Sequence, residues 1–473
     1  MILAFFPRIS LLVRCLNRSL SCFLFLLLFL VVLYPVTGEE KNIPPSPIPR
    51  LTPRESIILL SRDKEPLNLR EFIYTALLFS GIEYNNVDIL ESRIFAELED
   101  FKNFWHGNRK KSGNINSRRV SAGGQDYKKR LAEEILLYLH RRLFKRYSMW
   151  QTRVDILFET GTYNCVSSAV VYMIFARYMG LKVEGVRTRD HAFCRVVIGN
   201  KAFDVETTSP YGFDPGHKVE FKNDFGKVTG YAYVPPGNYR ERRIIGDKEM
   251  LSLILFNLNA FYTRNRKFIR ALGPAVDAYA YHRTKEALDK LVVSIHNVAS
   301  WYGMEGKNRR GIEFLKRAIS VYEGTRLEDR VVPTFRKLFY NMIIDLIESG
   351  NYTNAQAELT NGEALKYLSS ADRRTLVVYL YQRWAFKVSS INGYDSAAKL
   401  ILRGISLVGR EPSLLKNYEA YVHNSFVSLV KRKDLTRAKS VVEEALQYYS
   451  SSPMLNRDLR YVKKLLEEEG ETD

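Results

Sequence analysis

The sequence predicts an α+β region followed by an all-α region of helical repeats. At 473 residues the chain exceeds the usual size of one domain, and its 46% hydrophobic content is sufficient for more than one core. An apolar helical stretch that begins near residue 165 is followed by three short strand patterns. From residue 246 onward the pattern is helical, and small residues recur at nearly constant intervals. We therefore expect one folded region at 54–245 and a second at 246–473.

Residues 1–38 are typical of an export signal. Three arginines precede the apolar stretch 20–34, and the small residues at 36–38 offer a cleavage site. The apolar stretch is short for a membrane span, which favours cleavage, but residues 1–6 are also apolar, so an uncleaved N-terminal membrane anchor is the alternative. Both interpretations deliver the body of the protein outside the cytoplasm, to the periplasm or the cell envelope.

The segment after the signal is predicted to be an extended linker. Residues 39–53 contain five prolines, which exclude a regular helix. Helical patterns follow at 54–60, 70–80, 87–105 and 127–147, with a basic loop at 106–125 and a second linker at 154–162.

The net charge of +19 raises the question of a nucleic-acid partner. Lys and Arg are spread along the chain rather than gathered into one stripe, which indicates a generally basic surface. Export also conflicts with nucleic-acid binding. We therefore expect no nucleic-acid partner.

Cys165 is the candidate nucleophile. It opens a predicted helix that ends near Gly180, and the free N–H groups at a helix start stabilise a thiolate and can hold an oxyanion. The Cys165 N–H is the expected oxyanion donor, with the Asn164 side chain as a second candidate. Strands are predicted at 181–187, 192–198 and 202–206.

Two of these strands supply the partners that a catalytic thiol needs. His191 follows Cys165 by 26 residues and can act as its base, and a carboxylate on the next strand can orient the imidazole. Asp204 and Glu206 lie two residues apart and hence on the same face of a strand, so either can reach His191.

We expect Cys194 to be a packing residue rather than part of a disulfide or a metal site. Strand alternation places Cys194 on the face opposite His191, which favours a small buried hydrophobe. A zinc site would need Cys165, Cys194, His191 and His217, which lack closely spaced ligand pairs. We expect neither a metal nor a cofactor.

Four segments together resemble the transglutaminase-like superfamily, in particular its bacterial branch that is fused to tetratricopeptide-type repeats. They are 164–168 (NCVSS), 177–186 (RYMGLKVEGV), 190–193 (DHAF) and 203–212 (FDVETTSPYG). The resemblance implies a papain-like α+β core in which Cys165, His191 and Asp204 match the nucleophile, the base and the orienting acid. On this match we prefer Asp204 to Glu206. Some relatives in this branch lack the cysteine, so the resemblance also allows a catalytically silent protein.

Small residues with a regular spacing predict the helical repeats. Their intervals are 40, 44, 42 and 41 residues, longer than the usual ~34 of tetratricopeptide units. These residues are Ala271, Gly311, Ala355, Ala397 and Ala438. A small side chain at such a place lets paired helices approach closely, and a stack of pairs would offer a groove to a protein partner. The alternative is a plain helical domain with accidental spacing.

Two functions are compatible with the sequence. The first is an exported cysteine enzyme that hydrolyses or transfers amide bonds of protein or peptide substrates through a Cys165 thioester. The second is a silent scaffold of the cell envelope that only binds a partner.

Overall fold

The computed structural model describes residues 49–55, 65–111, 124–216, 218–229 and 242–470. From Pro49 onward the chain forms one compact unit. The predicted signal and most of the predicted linker lie outside the described residues. Among the helices that are described, none combines the length and the apolar character that crossing a membrane requires.

Three helices open the α+β region: α1 (Leu69–Phe79), α2 (Val87–Lys111) and α3 (Gln125–Arg142). All three were predicted, but α2 runs to Lys111, into the predicted basic loop, and α3 ends before residue 147. It stops there because β1 (Arg146–Tyr147) pairs in parallel with β2 (Thr162–Tyr163).

A short helix, α4 (Val154–Thr160), lies where we expected a linker. Its Val154, Leu157 and Phe158 have i, i+3, i+4 spacing and are all buried, so the segment has an apolar helical face. It ends at Gly161, whose φ of 72° is in the left-handed region. The prediction at 154–162 was therefore wrong.

The next helix, α5 (Cys165–Tyr178), packs against a four-stranded antiparallel sheet. The strands are β3 (Lys182–Arg187), β4 (Ala192–Ile198), β5 (Lys201–Val205) and β6 (Arg243–Ile245), in the order β5-β4-β3-β6. Almost every α5 side chain is buried, which explains its continuous apolar pattern. Helix α6 (Val219–Thr229) lies between β5 and β6 in the chain. The predicted α+β region is thus observed, while its papain-like character stays a prediction.

The rest of the chain is helical and forms an array of paired helices. The helices are α7 (Asp247–Arg264), α8 (Phe268–Tyr281), α9 (Lys285–Met304), α10 (Asn308–Val321), α11 (Leu327–Glu348), α12 (Tyr352–Thr360), α13 (Gly362–Tyr367), α14 (Ser370–Val408), α15 (Pro412–Lys431), α16 (Leu435–Tyr448) and α17 (Pro453–Gly470). Helix α14 is interrupted at Gly393, whose φ of 83° and ψ of 170° are not helical, so its two halves act as separate helices.

The five small residues with regular spacing occupy equivalent places in this array. Each is buried and is the fourth residue of a helix that follows a tight turn. Each turn contains a residue with positive φ, namely Arg266, Gly306, Gly350, Gly393 and Lys433. The spacing therefore reflects a structural repeat, because a turn with a positive-φ residue recurs with a buried small residue after it.

The two regions share packing contacts. Met250 and Leu251 of α7 belong to the core of the α+β region, although they lie beyond the predicted boundary at 245. The end of the predicted linker is also held in place, because Arg50 and Arg54 form ion pairs with the buried Asp277 of α8. Residues 49–54 are thus part of the folded unit.

Candidate functional site

Cys165 is the first residue of α5, and the residue before it fixes the start of that helix. The Asn164 carboxamide oxygen accepts hydrogen bonds from the Val166 and Ser167 N–H groups, each at 3.0 Å, and its Nδ2 donates to the Met149 carbonyl oxygen at 3.1 Å. Asn164 is thus the N-cap of α5. In the described part of the chain, the Cys165 N–H donates to no protein acceptor and remains available to an oxyanion.

His191 lies just before β4 and is held between Cys165 and a carboxylate. Its Nε2 is 2.7 Å from Glu206 Oε2. Cys165 lines the same cleft and interacts with the same imidazole. The ring stacks on Phe193 and meets the edge of Phe225. The His191 side chain is only 12% exposed.

The carboxylate beside His191 is Glu206 and not Asp204, which we preferred. Strand pairing sets Asp204 opposite Arg195, four residues along β4 from His191, or roughly 13 Å at the usual rise of a strand. Asp204 instead forms an ion pair with Arg242. Asp204 and Glu206 lie on the same face of the strand, as expected. The strand register determines that Glu206 is the one that reaches His191.

Glu206 is held rigidly by the turn that follows it. Its Oε1 accepts hydrogen bonds from Thr208 Oγ1 at 2.8 Å and from the Thr208 N–H at 3.3 Å. Its backbone N–H donates to the Gly212 carbonyl oxygen at 2.8 Å. A Cβ on Gly212 would lie 1.9 Å from the Glu206 carbonyl oxygen, so this close approach requires glycine. The turn thereby fixes the carboxylate that orients His191.

The electrostatics of the site favour a charged imidazole. Burial lowers the pKa of His191, but the negative charge of Glu206 and the hydrogen bonds with Cys165 and Glu206 outweigh it and hold that pKa well above its ordinary value. A protonated His191 next to Cys165 is the arrangement that stabilises a thiolate.

Cys194 and His140 lack this environment. Cys194 is fully buried, its Sγ donates to the Ala169 carbonyl oxygen at 3.4 Å, and burial raises its pKa well above the ordinary value. Burial lowers the pKa of His140 to about 4. Cys194 is therefore a packed hydrophobe, as predicted.

In the described part of the chain, Cys165 and Cys194 are both free thiols. Among the described residues, no group of three or more His, Cys, Asp or Glu side chains could hold a metal ion. His217, the fourth member of the zinc alternative, lies outside the described residues.

The thiol faces a cleft of about 300 Å³ between the sheet, the loop 147–150 and the helical array. Four α7 residues with i, i+3, i+4, i+7 spacing form one wall: Leu253, Phe256, Asn257 and Ala260. Helix α9 adds Glu286 and Lys290. The array thus contributes directly to the space in front of Cys165.

Sequence reasoning missed several of these residues. Thr208 and Gly212 lie in the quoted segment 203–212, yet only the folded turn shows that they hold Glu206. The α7 wall carries a helical periodicity that was readable in the sequence, but nothing there showed which element it faces.

Comparison with known proteins leaves the family open. No protein-family model matches this chain, and no curated protein is similar to it. Among solved structures, a crystal structure of menin that reveals the binding site for the Mixed Lineage Leukemia (MLL) protein aligns with 78% of this chain and 92% of its own, at 13% identity and a TM-score of 0.25. The tetratricopeptide domain of P58(IPK) aligns with 86% of this chain and 90% of its own, at 10% identity and a TM-score of 0.17. Scores this low do not establish a shared fold, and we infer nothing about function from either protein.

Proposed function

We propose that this protein is a cysteine hydrolase or acyltransferase that acts on amide bonds. The observation that carries the proposal is the contact between His191 Nε2 and Glu206 Oε2 at 2.7 Å, with Cys165 beside the same imidazole at the start of α5. A nucleophile, a base and an orienting carboxylate are the groups that acyl transfer needs.

The reaction would proceed in two steps. The Cys165 thiolate attacks the amide carbonyl carbon, and the C–N bond breaks as the His191 imidazolium gives its proton to the leaving amine. The resulting thioester is then attacked by water or by a second amine, which loses a proton to His191 as the C–S bond breaks. Glu206 keeps the ring oriented and stabilises its positive charge throughout.

The oxyanion formed in each step would be held at the start of α5. The Cys165 N–H is the candidate donor, because the neighbouring Val166 and Ser167 N–H groups are already bound by Asn164. Asn164 fixes the helix start through Oδ1, and its Nδ2, which donates to the Met149 carbonyl oxygen, keeps a second N–H that makes Asn164 the other candidate donor.

We further propose that the helical array consists of elongated tetratricopeptide-type units that bind a protein partner. The recurring turn, with a buried small residue in the helix that follows it, supports this proposal. Protein or peptide substrates fit such an architecture, and we favour hydrolysis over cross-linking.

Export remains a proposal that rests on residues 1–38. A fusion of residues 1–60 to alkaline phosphatase, which is active only outside the cytoplasm, tests it. We expect high phosphatase activity, and activity no higher than that of a fusion lacking residues 1–38 would contradict export.

Alkylation of the purified protein with iodoacetamide tests the catalytic proposal. Near neutral pH we expect Cys165 to react at least about tenfold faster than a free thiol, and His191→Ala to abolish that advantage. Cys194 serves as the internal control, because its burial keeps it slow.

The silent scaffold is the other outcome of this experiment. If Cys165 reacts no faster than a free thiol, or if His191→Ala leaves its rate unchanged, the enzyme proposal fails. Mass spectrometry of the labelled peptides identifies which cysteine was modified.

A further inference from the structure

The cleft in front of Cys165 has two chemically different ends. One end carries charged side chains, namely Arg189 and Asp190 beside His191 with Glu286 and Lys290 of α9 across from them. The other end is apolar and lies between the loop 147–150 and α7.

The apolar end is built from both regions of the molecule. Met149 is 44% exposed, although large apolar side chains are usually covered. Trp150 is half-buried and packs on Phe261 of α7, with the guanidinium of Arg264 5.0 Å from its ring centroid. Phe256 of α7 also lines the cleft, but it is only 7% exposed, and Lys290 Nζ lies 4.9 Å from its ring centroid.

This surface is held close to the nucleophile. The Met149 carbonyl oxygen accepts a hydrogen bond from Asn164, the residue before Cys165. Gln151 donates to the Thr162 carbonyl oxygen at 3.1 Å and so ties the other end of the loop to β2. A group attached to a carbonyl at Cys165 Sγ therefore has the Met149 side chain within reach.

Ion pairs compensate part of the charge at the charged end. Arg187 is bound by Glu249 and Glu286, and Lys290 lies 4.0 Å from Glu286. Arg189 and Asp190 are adjacent and of opposite sign.

We propose that the acyl group presented to Cys165 carries a large apolar side chain, which binds against Met149 and Trp150. The substrate class is thus a peptide with an apolar residue within two positions of the scissile carbonyl, on its acyl side. This inference rests on the proposed function, because it assumes that Cys165 receives an acyl group. It makes the helical array a determinant of specificity through α7.

Dipeptide chloromethyl ketones test the inference directly. In each probe the Cys165 sulfur displaces chloride and forms a C–S bond, so labelling reports how well the side chains bind beside the thiol. The probes are acetyl-Phe-Phe, acetyl-Glu-Glu and acetyl-Gly-Gly chloromethyl ketone, used on the full chain at concentrations that resolve binding from reaction. We expect the Phe-Phe probe to label Cys165 at least about tenfold more efficiently than the Gly-Gly probe.

The variant Met149→Ala should reduce the preference for Phe-Phe over Gly-Gly by about three- to tenfold. Met304→Ala is the matched control. Met304 is 67% exposed and lies 14 residues along α9 from Lys290, or about 21 Å at the usual rise of a helix. It should leave the preference as it is in the wild type.

The outcomes separate this inference from the proposed function. Rapid, His191-dependent iodoacetamide labelling without a preference for Phe-Phe overturns the inference and leaves the proposed function standing. A preference for Glu-Glu also overturns it and assigns recognition to the charged end. Equal loss of preference in Met149→Ala and Met304→Ala overturns the assignment to Met149. If Cys165 reacts as slowly as a free thiol with every reagent, both proposals fail.

Discussion

The α+β region and the helical array reach their buried structure by different means. In the α+β region, buried polar side chains such as Asn164, Glu206 and Thr208 bind one another and the backbone, so the position of each depends on a distant part of the chain. In the array, one turn and one close contact recur, as at Gly306 and Gly311, and depend on neighbours in sequence. The first arrangement positions chemical groups, whereas the second builds a surface by repetition.

This difference predicts that single changes act on function in the first region and on stability in the second. Glu206→Gln should reduce Cys165 reactivity or turnover on the order of a hundredfold, because the imidazolium loses its negative partner. Asp204→Asn should have a much smaller effect, since Asp204 forms an ion pair with Arg242. Alkylation rates of both variants, with unfolding curves to confirm their folds, check this prediction. Equal losses of reactivity in the two variants would show that Asp204 also belongs to the site.

The partly buried His140 predicts a loss of stability in acid that belongs to the α+β region. Burial lowers its folded pKa to about 4, below the ordinary value near 6.5. Its contribution to stability is therefore present above pH 6.5 and is lost as the pH falls towards 4. Between pH 7 and 4.5 the wild type should lose about 2–3 kcal/mol more free energy of unfolding than His140→Gln. Urea unfolding at the two pH values measures the difference, and identical losses would contradict the assignment.

The array should respond to a change at its repeated contact. A Cβ on Gly311 would lie 2.9 Å from Leu338 Cδ1 and 3.2 Å from the Ala299 carbonyl oxygen. Gly311→Ala should therefore reduce the free energy of unfolding by about 1 kcal/mol, after the gain in helix propensity is included, and leave Cys165 reactivity unchanged.

Gly362→Ala is the matched control for this contact, because its Cβ would meet nothing within 4 Å. It should be neutral or slightly stabilising. Thermal unfolding of both variants checks the prediction, and equal stability would show that close contact does not explain the repeat.

The same difference explains how much the sequence could predict. The interval between Ala355 and Ala397 could be predicted from the sequence, because the repeat depends on local turn chemistry and helix periodicity. Cys165 and His191 could be identified as site residues for a similar reason, since each lies at the start of a helix or strand. The sequence could not show that Glu206 rather than Asp204 reaches His191. That choice depends on the strand register, which follows from packing across the sheet.

The cleft also could not be predicted from the sequence. Phe256 reads as one residue of an amphipathic helix, and only the packing of α7 against the α+β region places it near Cys165. The linker prediction at 154–162 failed for a different reason, since seven residues are too few to give a clear helical period.

The imidazole pKa of His191 is the quantity that tests the central claim most directly. NMR titration of protein labelled only at histidine, with His191→Gln to assign the resonance and His140 as an internal low-pKa reference, measures it. We predict a pKa of His191 well above 6.5 in the wild type, a clear fall in Glu206→Gln and little change in Asp204→Asn. A wild-type value at or below 6.5, or one that Glu206→Gln leaves unchanged, would contradict a Cys165–His191–Glu206 site.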